Sequence, residues 1–248
     1  MSALPGTTGR RRIYLMRHGY VDYTSAAVRA ARDPKVATLT PRGEEEARAA
    51  GIALSEVHFD LAICSGLART RQTAEIVLAA HPKAPVLEMD EGFVELRSGS
   101  YIDFRSAEHL AAVMTFTFEQ AGEPEAEFLP GGERFADAMI RVRSALHSLL
   151  ARPDWATALL VAHEVVNRMV LADVIGAPLG ASAGFEQDTG CINILDFDLV
   201  PAESGTGTTI ERGVIKAVNL TPANYLKNGM NLRSLEAIFT RPEQADPA

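Results

Sequence analysis

Two arginines and two histidines stand where buried segments of this chain come to an end. Arg17 and His18 close the apolar run Ile13-Tyr14-Leu15-Met16 and are followed by Gly19. His163 closes a second run, Ala158-Leu159-Leu160-Val161-Ala162. Arg69 comes four residues after Ser65, where Leu61-Ala62-Ile63-Cys64 gives way to a helical pattern. Short apolar runs bounded in this way read as buried strands, and in open α/β sheets ligands sit beyond the carboxyl ends of the strands. If these strands are neighbours, four cationic or ionisable side chains and a helix N-terminus face one point. That is an anion site: guanidinium groups present paired donors to phosphate oxygens, and free N–H groups at a helix start add to them. Taken singly the residues are weak signals. A strand-end histidine is more often structural than catalytic, and Arg69 alone reads as a solvated helix residue, so the joint placement carries the reading. Gly19 allows a sharp turn and a close backbone approach that a side chain would block.

The elements that must position these groups follow from periodicity. Thr40-Pro41 opens a helix, with Thr as N-cap, Pro at the first position and Glu44, Glu45 and Glu46 near the positive dipole end. Ser65 is expected to cap the next helix, whose apolar face is Leu67, Ala74, Val77 and Leu78. A third short strand falls near Val86-Leu87. Residues 89–132 break the rhythm and read as a lid or binding segment, with a helix from about Ser106 to Gln120 and the loop Leu129-Pro130-Gly131-Gly132. Tyr101, Phe104, Phe116, Phe118 and Arg134 are its candidates for lining a partly apolar pocket, although aromatics so spaced are more often core. Phe135, Met139, Val142 and Leu146 mark a helix through roughly 133–151, and another follows His163 to about Ile175. Ile192–Phe197 and Val214–Val218 read as strands joined by a Gly/Ser/Thr-rich hairpin at 203–209. The alternation implies an α/β fold with three layers, a mostly parallel sheet with helices on both faces. The expected layout is a disordered tail over 1–11, one domain over 12–240 and a second disordered tail over 241–248.

With 248 residues, 47% hydrophobic and 23% charged, the chain has the composition of a globular protein. Its net charge of −8 argues against a nucleic-acid partner. No apolar run approaches a membrane span, no secretory h-region precedes the N-terminal arginines, and the expected location is cytoplasmic. Cys64 and Cys191 lie in or beside apolar runs and read as core residues in a reducing compartment.

Four blocks occur together in order: Leu15-Met16-Arg17-His18-Gly19, Leu39-Thr40-Pro41-Arg42-Gly43, Ser65-Gly66-Leu67-Ala68-Arg69-Thr70-Arg71-Gln72-Thr73-Ala74, and Leu160-Val161-Ala162-His163. Over roughly residues 12 to 220 the chain resembles the histidine phosphatase superfamily, in its phosphoglycerate-mutase-like branch. The resemblance implies a six-stranded sheet between helices and phosphoryl transfer without a metal or other cofactor. It further implies that His18 is the nucleophile, that Arg17, Arg69 and His163 clamp the phosphoryl oxygens, and that Glu95 is the proton donor. Thr24 stands where many members carry an Asn that binds phosphate. Tyr20-Val21 follows Gly19 in place of the usual Glu-Thr, Glu164 replaces a Gly after His163, and Arg134 replaces a Ser after Pro130-Gly131-Gly132-Glu133.

The resulting expectation is a phosphatase acting on a phosphomonoester through a phosphohistidine at His18. A mutase is the alternative within the fold, and a non-catalytic phosphate-binding module the alternative outside enzymes. The gap from Glu95 to His163 suits the shorter, phosphatase-like members. The expected partner is a small-molecule phosphomonoester, with a phosphoprotein and a homodimer left open. For Glu164 two orientations are open. It either points away and favours its helix N-terminus, or lies at the pocket edge, where it would raise the pKa of His163 and repel a second negative group on the substrate.

Overall fold

The computed structural model describes residues 9–99, 113, 117–203, 208–234 and 237. Six strands form one sheet: β1 (Gly9–Arg17), β2 (Leu61–Cys64), β3 (Leu87–Met89), β4 (Thr157–Ala162), β5 (Ile192–Pro201) and β6 (Thr208–Leu220), in the spatial order β3-β2-β4-β1-β5-β6. The pairs β3–β2, β2–β4 and β4–β1 are parallel, whereas β5 runs antiparallel to β1 and β6 antiparallel to β5. The helices are α1 (Ala26–Ala31), α2 (Pro41–Leu54), α3 (Ala68–Leu78), α4 (Phe135–Ala151) and α5 (Glu164–Val174).

Period-two alternation in the central strands divides the core in two. Ile13 and Leu15 of β1, with Leu160 of β4, pack on the face covered by α4 and α5, through Phe135, Val142, Leu146, Val166 and Val170. Met16 of β1, with Leu159 and Val161 of β4, packs on the opposite face against Ala50 and Leu54 of α2 and Ala74 and Val77 of α3. Both faces of the central strands are therefore buried, which is why their sequences are continuous apolar runs. Cys64 and Cys191 are buried and unpaired.

β1 starts at Gly9, inside the stretch expected to be a tail. Arg10 donates to Asp198 at 2.8 Å and Arg12 to both carboxylate oxygens of Asp196 at 2.7 Å. These cross-strand pairs to β5 extend a strand whose apolar core begins only at Ile13. The expected helix over 106–120 falls largely outside the described residues, as do Tyr101, Phe104 and Phe116, while residues 117–119 are helical. Phe118 is a core residue, edge-on to Phe128 and Phe135. Arg134 pairs on the surface with Asp137 and Glu125.

Thr40 caps α2 as expected, accepting from the Gly43 amide at 3.2 Å. Gly19 and Gly43 then meet: a Cβ on Gly19 would lie 2.3 Å from the Gly43 carbonyl oxygen, and one on Gly43 would lie 2.2 Å from that of Tyr20. The close approach required of Gly19 is thus to the start of α2. Gln72 on α3 accepts from the Leu39 amide at 3.0 Å and ties the two helices to the same turn.

Candidate active site

The strand order places four carboxyl ends side by side. Glu95 follows β3, Arg69 follows β2 in the first turn of α3, His163 follows β4, and Arg17 and His18 end β1. Arg17, His18, Arg69 and His163 are all buried, and the His18 and His163 rings lie 5.3 Å apart between centroids.

His18 Nδ1 lies 2.8 Å from the carbonyl oxygen of Gly19. A carbonyl can only accept, so the ring proton is on Nδ1 and Nε2 carries the lone pair. Arg69 Nε–H donates to that lone pair at 3.3 Å. Burial, then the positive charges of Arg69 and Arg17, hold His18 well below the usual histidine range, against the opposing bond to Gly19. The imidazole is accordingly neutral at physiological pH, with its nucleophilic nitrogen facing a cation.

Arg17 shows how a phosphate clamp is oriented. Its Nη1 donates to the Gln187 carbonyl and lies 2.9 Å from Glu164 Oε2. Among the described residues its buried Nε has no partner and no hydrogen bond is donated from Nη2. One edge of the guanidinium is therefore fixed by protein, and the other, a fork of two parallel N–H groups, is available to an oxyanion. Behind it Gln187 and Asn193 exchange amide bonds at 2.9 and 2.8 Å, and Asn193 donates to the Leu15 carbonyl.

Glu164 adopts neither expected orientation. It is buried, in ion pairs with Arg17 and with Arg168 at 2.9 Å, and Ser234 Oγ donates to it at 2.7 Å. It does not keep His163 charged. Burial, then Arg69, His18, Arg17 and Arg141, push His163 well below its usual range. Arg168 in turn stacks over the Phe118 ring at 4.9 Å and donates to the carbonyls of Ser182 and Ala183.

Glu95 lies at the N-terminus of α5, where its Oε2 accepts from the Val165 amide at 3.3 Å and its Oε1 from the Leu96 amide at 3.1 Å. These bonds and the charge of Arg69 favour the carboxylate, yet withdrawal of the carboxyl from water outweighs them and pushes it up to about 7. The residue keeps partial exposure as a whole, so the acid is shielded but not sealed off. A carboxyl poised near neutrality can both give and take a proton.

Thr24 is not brought to this cluster. It is exposed, and its hydroxyl donates to Asp22 Oδ1 at 2.7 Å. The side chain beside Arg69 from that segment is Tyr23, whose ring lies 5.7 Å from the guanidinium carbon. Ser65 does not cap α3; Leu67 holds the cap position. The Ser65 hydroxyl instead lies 2.7 Å from His163 Nε2 and 2.9 Å from Thr70 Oγ1. Gln187, Asn193, Arg168 and Ser234 escape sequence reasoning: Asn193 and Arg168 sit in a strand and a helix that the pattern does show, but nothing in the pattern marks a polar side chain there as buried, and Gln187 and Ser234 lie in irregular segments. Their burial is the only signal, and burial is not visible in the sequence.

Two cationic side chains, a neutral histidine with its lone pair on Nε2 and a carboxyl near neutrality form a site for nucleophilic attack on an oxyanion-bearing centre. The family model described as histidine phosphatase superfamily (branch 1) matches residues 13–200. Among curated relatives, the adenosylcobalamin/alpha-ribazole phosphatase of Escherichia coli strain K12 is 28% identical over 192 residues, covering 75% of this chain and 90% of its own length. "Probable phosphoglycerate mutase GpmB" of Erwinia tasmaniensis is 27% identical over 194 residues, covering 76% and 86%. Among solved structures, the alpha-ribazole phosphatase from Shigella flexneri superposes with a TM-score of 0.61 at 22% identity, over 84% of this chain and 96% of that one.

Proposed function

We propose that this chain, which belongs to the histidine phosphatase superfamily, hydrolyses phosphomonoesters through a phosphohistidine on His18. The observation that carries the reading is the His18 tautomer: with Nδ1–H donated to Gly19, Nε2 offers its lone pair beside Arg69. On binding, the phosphoryl oxygens take the donors of Arg69 and the open edge of Arg17. Nε2 then attacks phosphorus, the P–N bond forms as the ester P–O bond breaks, and Glu95 gives its proton to the leaving oxygen. In the second half, water attacks the phosphohistidine, the Glu95 carboxylate takes the water's proton, and the P–N bond breaks to release inorganic phosphate.

The relatives' names include both a phosphatase and a mutase. Hydrolysis is favoured here by the short gap between Glu95 and His163, which suits the shorter, phosphatase-like members of the family. The reading extends to a metal-independent reaction on a small-molecule ester in the cytoplasm. Brief incubation with a 32P-labelled ester and an alkaline quench should leave acid-labile label on the protein and none on His18→Ala. Label of equal yield on the variant would remove His18 from the nucleophile role.

A further inference from the structure

Three short polar contacts lead away from His163, and only two hydroxyl protons are there to make them. The Thr70 hydroxyl lies 2.8 Å from the Leu67 carbonyl oxygen, which can only accept, so the Thr70 proton is committed to it. In the 2.9 Å contact between Thr70 Oγ1 and Ser65 Oγ the donor must then be Ser65. Ser65 has no second proton, so its 2.7 Å contact with His163 Nε2 is donated by the ring. The chain therefore runs from His163 Nε2–H to Ser65, to Thr70, to the Leu67 carbonyl. A neutral imidazole has one N–H, and Nδ1 of His163 is left with a lone pair. That atom is buried and, among the described residues, has no partner. His18 and His163, side by side, hold opposite tautomers.

We propose that Ser65 and Thr70 are positioning residues that fix His163 in its Nε2–H form, so that a dianionic phosphoryl group can dock on Nδ1 only with the uptake of one proton. This rests on the phosphoryl-binding reading above. An oxyanion facing a bare nitrogen lone pair is repelled. Once a proton from solvent sits on Nδ1, the same contact is a charge-assisted hydrogen bond. The free site holds His163 neutral because it is buried among Arg17 and His18 from β1, Arg69 from α3 and Arg141 from α4. The carboxyls of Glu95 and of Glu164 on α5 are the opposing charges nearby, and the anion itself tips the balance. The empty site thus avoids a third buried cation and acquires it only with its ligand.

The test is the protonation pattern of the ring, read by long-range 1H–15N correlation on protein labelled with 15N-histidine, with His163→Asn assigning the signals. At pH 7.5 the free enzyme should show His163 as Nε2–H. Thr70→Val removes the acceptor of the Ser65 proton, which then turns to His163 Nε2 and moves the ring proton to Nδ1; Thr70→Ser should leave the pattern as it was. With tungstate bound, a dianion without a proton of its own at this pH, both nitrogens should be protonated, the second proton coming from solvent. Calorimetry in buffers of different ionisation enthalpy should then count about one proton taken up in Glu95→Gln, where the carboxyl cannot contribute, and close to none in Thr70→Val/Glu95→Gln. A free enzyme with Nδ1–H, or tungstate binding to Glu95→Gln without proton uptake, overturns the proposal. A correct tautomer in a protein that never forms phosphohistidine would instead overturn hydrolysis and leave the hydroxyl chain standing.

Discussion

Glu95 illustrates how one carboxyl serves two opposite steps. Burial outweighs two backbone donors and a nearby arginine, and raises it to about 7. Because the shift is upward, the acid form that protonates a leaving group is present below about pH 7 and is lost as pH rises through it. Turnover of an alkyl phosphate, which leaves poorly without a proton, should fall along that limb, while nitrophenyl phosphate should be far less sensitive. Glu95→Gln should abolish the limb and slow the alkyl ester by ~10²-fold. An equal loss on both esters, with phosphorylation of His18 shown to be rate-limiting, would point to a structural role. The ring and guanidinium partners at the strand ends could be picked out in the sequence only jointly, because several ionisable residues each close an apolar run or open the helix after one. Glu164 was legible only as an oddity. Its i,i+4 spacing to Arg168 reads as an ordinary surface helix pair, while Arg17 and Ser234 come from distant parts of the chain, so nothing local announces that these charges are buried together.

At the level of elements, the site depends on how closely β1 and α2 approach. Two glycines touch backbone to backbone there, with any Cβ within 2.3 Å of a carbonyl oxygen. Neither partner is a flexible side chain that could swing aside, so Gly43→Ala should cost ~1–3 kcal/mol or more, seen as a drop of several degrees in the thermal midpoint. It should also lower activity by displacing the turn that carries His18. An unchanged midpoint would mean that the contact relaxes freely. The extents of α4 and α5 followed from apolar periodicity and the start of α2 from Thr40-Pro41, but β1, β5 and β6 run beyond the apolar stretches that marked them, β6 beginning at Thr208 within the expected hairpin. The start of α3 did not follow from the pattern, because Ser65 looks like an N-cap in the sequence. In the fold, its hydroxyl is drawn to His163, 98 residues away, and the cap position falls to Leu67.

For the molecule as a whole, the sheet order could not be read from the sequence. Alternating strands and helices imply a parallel sheet, but only the fold shows that β4 lies between β2 and β1 and so brings His163 beside His18, with Arg69 in direct reach of His18. The charge balance is likewise a property of the whole: a chain of net charge −8 still buries two arginines, Arg17 and Arg69, beside its paired histidines. Among the described residues no group of three His, Cys, Asp or Glu side chains is placed to hold a metal, and the guanidinium groups can carry the phosphoryl charge themselves. Hydrolysis should survive EDTA; loss restored by one divalent ion would favour a metallophosphatase. The hydroxyl of Ser234 has a wider consequence. It joins a segment near the end of the chain to the carboxylate that braces Arg17, 2.7 Å from Glu164 on one side and through that ion pair to the clamp on the other. Local opening of that segment should then be coupled to slackening of the clamp. Occupying the site with tungstate should slow amide exchange around Ser234 and protect the neighbouring chain from protease, although no ligand atom touches it, and Ser234→Ala should weaken that protection.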